Sequence, residues 1–578
     1  MQYAFATLDF TATALLFTSG LETHAPPQPA ATALDSRRQT RSRCCFINSS
    51  AQKGAVKVML MLMFGAGTGD TIYALSTAQG KAGIAVIRIS GPACLDIYRA
   101  LCPSKAVPKP RYASVRSLLD PKLAGLQRGV LDSEAVVLFF PSPKTVTGED
   151  VLELHIHGGA ATIKAVLAAI PQCPSEHRIR YAEPGEFTKR AFLNDRLDLA
   201  RVESLGDILS AETEQQRRAA VRGNSGVLAR TYESWREELL LARGEIEALI
   251  DFSEDQHFDE SPADLLDNVA RLVDNILRGI HLHEQGGQRS ELLRSGIRIA
   301  LLGPPNVGKS SLMNLIVGRE ASIVSGEAGT TRDIVEASLD IRGYLCSFAD
   351  TAGFRSTDDL GASGPVGAVE LEGIRRARQK AQQSDIVVVL ASLEGGPSGP
   401  FIFYDQETLD IAASAEARLI VVNKRDMVEP ARLQRMLDEF RQRLGETVPR
   451  LGSAQIAAIS CKEASLSSEL GKDPGGIHAL TEALVGTFSQ MTEMPVDLQD
   501  LLGVTARQAQ LLARCRGHLE EFLAEARPED ASVEADTVLA AEYLRYAADC
   551  LARITGKGEA GDVEDVLGVV FEKFCVGK

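Results

Sequence analysis

The chain has 578 residues and a net charge of −15, from 62 Lys and Arg against 77 Asp and Glu; at about 150 residues per domain it holds roughly three or four domains. A composition of 45% apolar, 24% charged and 5% aromatic residues is that of a globular protein and excludes collagen-like, mucin-like and disordered chains. The acidic balance excludes coating of nucleic acid by bulk basicity, so an RNA partner must be met at a local basic patch or through a second protein.

Residues 1–69 differ from the rest. They carry Arg37, Arg38, Arg41, Arg43, Lys53 and Lys57 against Asp9, Glu22 and Asp35, in a background rich in Ser, Thr and Ala. That is the composition of a mitochondrial or plastid transit peptide, and it does not separate the two organelles. The basic cluster follows the apolar stretch, which fits a secretory signal poorly. Residues 70–190 read as mixed α/β, with strands at Ile84–Ile89, Ala135–Phe140 and Val151–Ile156 and a helix over Gly159–Ile170. His155 and His157 alternate along one strand and so share a face, which makes no metal site by itself. From about Glu186 the pattern turns helical. Residues 191–295 read as a bundle, through Val202, Leu205, Ile208 and Leu209, then Trp235–Ile250 and Ala263–Ile280. The ten cysteines are scattered without a CxxC pair, as expected of free thiols in a reducing compartment.

Residues 296–486 carry the chemistry. A strand at Gly296–Leu302 runs into Gly303-Pro304-Pro305-Asn306-Val307-Gly308-Lys309-Ser310, the GxxxxGKS loop, with a helix over Ser311–Val317. Its glycines let backbone N–H groups approach phosphates, Lys309 neutralises the β/γ oxygens, and Ser310 offers a hydroxyl to Mg²⁺. The candidate GTP contacts of this loop run from Asn306 through Val307, Gly308, Lys309 and Ser310 to Ser311. Strand Tyr344–Ala349 leads to Asp350-Thr351-Ala352-Gly353, a carboxylate for the magnesium shell and an N–H for the γ-phosphate. Between them, Gly329-Thr330-Thr331-Arg332-Asp333 supplies a threonine hydroxyl for Mg²⁺ in the triphosphate state. Strand Leu419–Val422 ends in Asn423-Lys424-Arg425-Asp426, whose aspartate accepts from the N1–H and amine of guanine, a pair that adenine lacks. Strand Ile456–Ile459 ends in Ser460-Cys461-Lys462, the loop behind the base. Five motifs in this order, nearly all at strand ends, specify GTP and a doubly wound α/β domain.

The residue after DTAG is Phe354, which cannot orient water as the glutamine of Ras-like enzymes does. Asn306 beside the phosphates is an oxygen donor suited to a monovalent cation, which would stand in for an arginine. Glu370, beyond the Gly-rich switch Leu360–Ala368, is a candidate to position water, although an exposed helical Glu is the commoner reading of such a residue. Residues 487–578 read as helical, with amphipathic stretches at Leu501–Ala513, His518–Ala526 and Thr537–Ile554. Residues 296–486 therefore read as a domain inserted between two parts of one helical domain. Cys575 is four from the end, as in a prenylation box, but Gly577 and Lys578 suit that box badly. No apolar run approaches the roughly 18 residues of a helical membrane span.

Over residues 71–578 the sequence resembles the MnmE/TrmE family of tRNA modification GTPases. The motifs that carry the resemblance are GIAVIRISG (83–91), TGEDVLEL (147–154), PGEFTKRAFLNDRLDLA (184–200), the GPPNVGKSSLMN loop, AGTTRD (328–333), DTAGF (350–354) and the terminal FCVGK. The resemblance implies an organellar homologue that acts on C5 of the wobble uridine. It implies an N-terminal domain that forms a homodimer and binds a 5-formyltetrahydrofolate-type one-carbon donor through Arg88, Glu153 and Lys578. Arg196 stands where the family commonly has Lys. It also implies a functional Cys575, K⁺ held by Asn306, Ser325, Glu327 and Thr330, Mg²⁺ held by Ser310 and Thr331, and Glu370 as the catalytic glutamate. The implied partner is an MnmG-like FAD protein in a heterotetramer, which together with this chain installs an aminomethyl or carboxymethylaminomethyl group on tRNA. Three segments depart from the family pattern, all in expected loops: Gly361–Gly367, Ser392–Phe403 and Lys557–Asp562. The first leaves the register of Glu370 open by a few residues. The alternative function is a regulatory or ribosome-assembly GTPase without tRNA chemistry. It leaves the N-terminal region and the FCVGK tail without a purpose.

Overall fold

A computed structural model describes residues 69–123, 129–252, 262–324, 338–348, 378–397 except 380, 399–466, 473–528, 535–557 and Gly577. The first sheet is built from β1 (Thr71–Leu75), β2 (Ile84–Ser90), β3 (Ser114–Leu119), β4 (Val130–Phe140), β5 (Val151–His157) and β6 (Ile179–Tyr181), in the order β3-β4-β5-β2-β1-β6. All its pairings are antiparallel except β1 with β6. Period-two alternation sends Ile87, Ile89, Leu152, Leu154, Val137 and Phe139 to one face. There α1 (Cys94–Leu101) and α2 (Ala160–Ala169) close a dry core with Tyr98 and Val166. Across the other face, cross-strand register aligns Val115, Val136, His155 and Val86, all at least partly open to solvent.

One end of that second face is covered. Phe187 of α3 (Glu186–Leu193) packs on Ile72, Ala74 and Ala182. An ion cluster fastens the helix there. Arg190 meets Asp70 at 2.8 Å and Glu149 at 2.9 Å, and Arg180 meets Asp70 at 2.7 Å and Glu186 at 2.5 Å. These five groups are mostly withdrawn from water, so each needs its partners.

Helices α4 (Leu199–Ser210), α5 (Glu214–Gly223), α6 (Val227–Phe252) and α7 (Pro262–Ser295) follow. Asp198 caps α4 by accepting the Arg201 N–H at 2.9 Å. The second sheet holds β7 (Ile297–Leu302), β8 (Ala321–Ile323), β9 (Ser338–Ile341), β10 (Tyr344–Phe348), β11 (Ile386–Gly396), β12 (Gly399–Phe403), β13 (Ala417–Asn423) and β14 (Gln455–Ala458). Its order is β14-β13-β11-β7-β10-β9-β8, with β12 paired to β11. Strands β14, β13, β11, β7 and β10 run parallel, flanked by the antiparallel β9 and β8. Their near-continuous Val/Ile/Leu runs suit burial on both faces. One face packs with α9 (Gln406–Ala413) and α10 (Pro430–Thr447), the other with α8 (Lys309–Leu315), α11 (Cys461–Leu466) and α12 (Ile477–Thr492).

After this sheet come α13 (Ala506–Ala526) and α14 (Thr537–Thr555), which pack on each other and back onto α7 and α6, respectively. Helices on both sides of the second sheet in sequence therefore share one core, through Leu239, Ile246, Val273, Leu512, Phe522 and Leu544.

Three local expectations are corrected. The segment Ser392–Phe403 is a β-hairpin, not a loop: β11 continues to Gly396 and β12 returns antiparallel to it. The phosphate-loop helix begins at Lys309 and ends at Leu315, with a wider π turn over Ile316–Glu320. The segment Leu501–Ala526 is not two helices parted near residue 515. Val496–Gly503 is a 3-10 segment, Thr505 caps a fresh start with Gln508 in a capping box, and α13 then runs unbroken. His155 and His157 do share a face, with His155 3.3 Å from Glu153 and His157 3.0 Å from Asp132. Among the described residues no cluster of metal-ligating side chains occurs, and the seven described cysteines are buried free thiols.

Candidate functional site

The carboxyl ends of β7, β13 and β14 lie on one rim of the second sheet. Strand β7 has β10 on one side and β11 on the other, so the rim carries the switch point where open α/β sheets bind ligands. The loop between β7 and α8 is backbone-shaped. Gly303 and Gly308 have φ of 150° and 102°, and Asn306 has 64°. A Cβ at Gly303 would meet the Leu390 carbonyl oxygen at 2.3 Å, and one at Gly308 would meet Asn423 Nδ2 at 2.3 Å. Both positions require glycine. The Lys309 ammonium is held over the loop by the Gly303 and Pro304 carbonyls, each 2.8 Å away. Val307 is buried, while Asn306, Ser310 and Ser311 are exposed on the same loop and the first turn of α8.

Asn423 ties three motifs together. Its buried amide donates to the Val307 carbonyl at 2.8 Å, and its oxygen accepts from the N–H groups of Lys424 at 2.8 Å and Cys461 at 3.2 Å. The phosphate loop and the two base loops are thus one hydrogen-bonded unit. Asp426 accepts the Ser460 hydroxyl at 2.6 Å, which fixes its carboxylate, and the Lys462 ammonium stands 4.0 Å away. Such an aspartate presents a fixed acceptor pair to guanine N1–H and amine. Burial pushes the Cys461 thiol up to about 11, so Cys461 offers its N–H rather than a thiolate.

One residue in this site was missed from sequence. Glu394, on the hairpin, pairs with the Lys424 ammonium and also accepts the Ser392 hydroxyl at 2.8 Å. These hydrogen bonds hold its carboxyl below the usual glutamate range. The signal was available: a lone acid in a Gly-rich insert directly after a parallel strand. The candidates Ser325, Glu327, Thr330, Thr331, Asp350, Thr351, Ala352, Gly353, Glu370, Cys575 and Lys578 lie outside the described residues.

A second constellation sits on the first sheet. Arg88 on β2 is in register with Glu153 on β5, and their side chains pair at 3.0 Å while only 22% and 15% exposed. Next to them, Ala74 on β1 pairs with Arg88. The next β1 residue, Leu75, meets Gly577. The Ser76 hydroxyl donates to the Gly577 carbonyl at 2.9 Å, and a Cβ at Gly577, where φ is 103°, would meet the Leu75 oxygen at 2.2 Å. Only glycine fits there, which gives the G of FCVGK a physical reason. Arg196 lies after α3, where its Nε donates to the Thr145 carbonyl at 3.0 Å.

Comparison with known proteins agrees with this two-part layout. The family model for the GTP-binding protein TrmE N-terminus matches residues 71–196, and that for the MnmE helical domain matches residues 199–575, more than half of the chain. The tRNA modification GTPase MnmE of Parvibaculum lavamentivorans is 41% identical over 513 residues, covering 88% of this chain and all 100% of that one. The human mitochondrial 5-taurinomethyluridine-[tRNA] synthase subunit GTPB3 is 38% identical over 519 residues, covering 89% of this chain and 94% of its own. The mitochondrial tRNA modification GTPase MSS1 of Saccharomyces cerevisiae is 35% identical over 528 residues, covering 88% and 93%. The likeness that the motifs carry extends through both the first sheet and the helices around the second, and the protein belongs to the MnmE family, GTPases of tRNA modification.

Proposed function

We propose that this chain is the potassium-dependent GTPase subunit of an organellar enzyme that modifies C5 of the wobble uridine in certain tRNAs. An MnmG-like FAD protein is its partner, and a 5-formyltetrahydrofolate-type donor supplies the one-carbon unit. Residues 70–190 form the folate-binding and dimerisation domain, 296–486 the G domain, and 191–295 with 487–578 the helical domain around it. The mitochondrial relatives favour a mitochondrial address for a chain whose residues 1–69 have transit-peptide composition.

The observation that carries the reading is the Arg88–Glu153 pair of β2 and β5, next to the strand β1 whose end meets Gly577. Glu153 is an acceptor for the N–H groups of a pterin ring, Arg88 is a planar donor, and both sit half-buried on a partly apolar face. Gly577 belongs to the terminal FCVGK motif, which also carries Cys575 and Lys578. The outward face, with Ile84 63% and Val115 61% exposed, is apolar surface suited to a second copy. In the G domain, Ser310 and Thr331 hold Mg²⁺, and Asn306, Ser325, Glu327 and Thr330 hold K⁺. When bound, K⁺ supplies the positive charge beside the phosphates that an arginine would otherwise bring. Glu370 positions the attacking water, because Phe354 has no group to do so.

The test is calorimetric titration of the full chain with 5-formyltetrahydrofolate. Binding to the wild type and a loss of at least tenfold in Arg88→Ala are expected. No binding to the wild type would return the protein to the class of GTPases without a one-carbon site.

A further inference from the structure

The chain is acidic, yet residues 97–119 hold Arg99, Lys105, Lys109, Arg111 and Arg116 and not one Asp or Glu. This segment links α1 to β3 at the edge of the first sheet. Pro103, Pro108 and Pro110 stiffen it. Lys105, Lys109, Arg111 and Tyr112 are all exposed. Lys109 Nζ lies 4.2 Å from the centre of the Tyr112 ring, which is 57% exposed, and the Arg111 guanidinium lies 5.8 Å from that of Phe140. Cations are therefore interleaved with aromatic faces.

The placement of this segment is fixed. The Arg111 N–H donates to the Phe139 carbonyl at 2.8 Å, and its guanidinium donates to the carbonyl of Lys144. The Lys144 side chain is exposed. The next carbonyl, that of Thr145, accepts from Arg196. The same loop returns through Thr147, whose hydroxyl lies 2.6 Å from that of Ser90, two residues from Arg88 on the same face of β2. A basic path thus runs from Lys105 through Lys109, Arg111, Lys144 and Arg196 to the Arg88–Glu153 pair. Two acids of this loop are occupied: Asp150 accepts the Ser142 N–H at 2.8 Å, and Glu149 accepts the Ser90 hydroxyl at 2.8 Å and pairs with Arg190 at 2.9 Å.

We infer that this path is the tRNA-docking surface of the chain: Lys105, Lys109 and Lys144 track phosphates of the anticodon loop, Tyr112 stacks an unpaired base, and the loop is led toward Arg88 and Glu153. Single-stranded RNA asks for this combination of positive charge along a backbone and aromatic faces for bases. The inference rests on the reading of Arg88 and Glu153 as the one-carbon site for its direction.

The test uses the full chain and a fluorescein-labelled, unmodified tRNA transcript with uridine at the wobble position. Anisotropy titrations are run across a salt series, for the wild type, for Lys105→Ala/Lys109→Ala/Lys144→Ala, for the matching triple Lys→Arg variant, and for Tyr112→Ala. The triple alanine variant should bind at least tenfold more weakly, with its salt slope shallower by about 2, near 0.7 for each lost phosphate contact. The triple arginine variant should bind like the wild type. Tyr112→Ala should lose about tenfold. GTP hydrolysis and 5-formyltetrahydrofolate affinity should stay unchanged in all three. Wild-type affinity and slope in the triple alanine variant would overturn the inference. So would an equal loss in Arg217→Ala/Arg218→Ala, exposed arginines on α5. A weakened tRNA complex in a protein that never binds the folate would leave the surface standing and remove the one-carbon reading.

Discussion

Asp426 is aimed before any base arrives, because the Ser460 hydroxyl occupies one of its oxygens at 2.6 Å. Replacing the carboxylate by an amide converts an acceptor into a donor, so Asp426→Asn is expected to prefer xanthosine triphosphate over GTP. Competition binding with both nucleotides checks this, and an unchanged GTP preference would count against Asp426 as the base reader. Lys424 is set by the hairpin acid Glu394. The pair is about one-third exposed on each side, so its worth is modest. Glu394→Gln should weaken GTP binding by about two- to fivefold. Nucleotide-exchange measurements would show it, and an unaffected affinity would mean that Lys424 holds its place without help.

At the scale of elements, the ion cluster that fastens α3 to β1 and β6 sets the acid sensitivity of the first sheet. Burial pushes the Glu186 carboxyl up, but hydrogen bonds from Arg180, the Glu183 N–H and the charge of Arg190 outweigh it and hold the group below its ordinary value. A depressed folded-state value contributes stability that is present above the ordinary glutamate pKa, about 4.3, and fades as pH falls through the folded value. Arg190→Met leaves Glu149, Glu186 and Asp70 short of a cation and should destabilise the first sheet by about 3–5 kcal/mol at neutral pH. The loss should shrink as pH falls through the folded-state value of Glu186. Thermal melts across pH would reveal a flat difference if the cluster carries no stability. The parallel strands β7 and β13 were legible in the sequence because burial on both faces leaves an uninterrupted apolar run. Strands β1, β3 and β6 were not. Their five, six and three residues are too few to display a period, and β6 owes its pairing to β1, more than 100 residues upstream. The hairpin of β11 and β12 was hidden by Gly395, Gly396 and Pro400, which read as loop residues although the register tolerates them at an edge. The break at Val504 was hidden for a related reason: its signal is the capping box of Thr505 and Gln508, which sits inside an otherwise continuous apolar pattern. For the nucleotide site the motifs named the residues, whereas the bond from Asn423 to Val307 needed the fold, because it spans 116 positions.

At the scale of the whole molecule, a site that lacks a water-orienting glutamine must recruit its catalytic help from elsewhere. GTP hydrolysis by the full chain is therefore expected to be at least tenfold faster in K⁺ than in Na⁺ at equal ionic strength. Equal rates would exclude the cation from the role of an arginine. The helices before and after the second sheet share one core, so the nucleotide unit is held at both of its chain ends by the same bundle. Such a double attachment gives any rearrangement at the nucleotide rim a mechanical hold on α7 and α13.

Ser76 and Gly577 stand 501 positions apart. At roughly 5–20 residues per second a ribosome needs about 25–100 s to go from one to the other. The first sheet has that interval in which to fold with the end of β1 still lacking its closing glycine. Chains abandoned upstream would therefore carry a finished sheet whose β1 end lacks its closing glycine. In the proposed reading, the enzyme becomes competent only when translation has passed through all the parts that its chemistry requires.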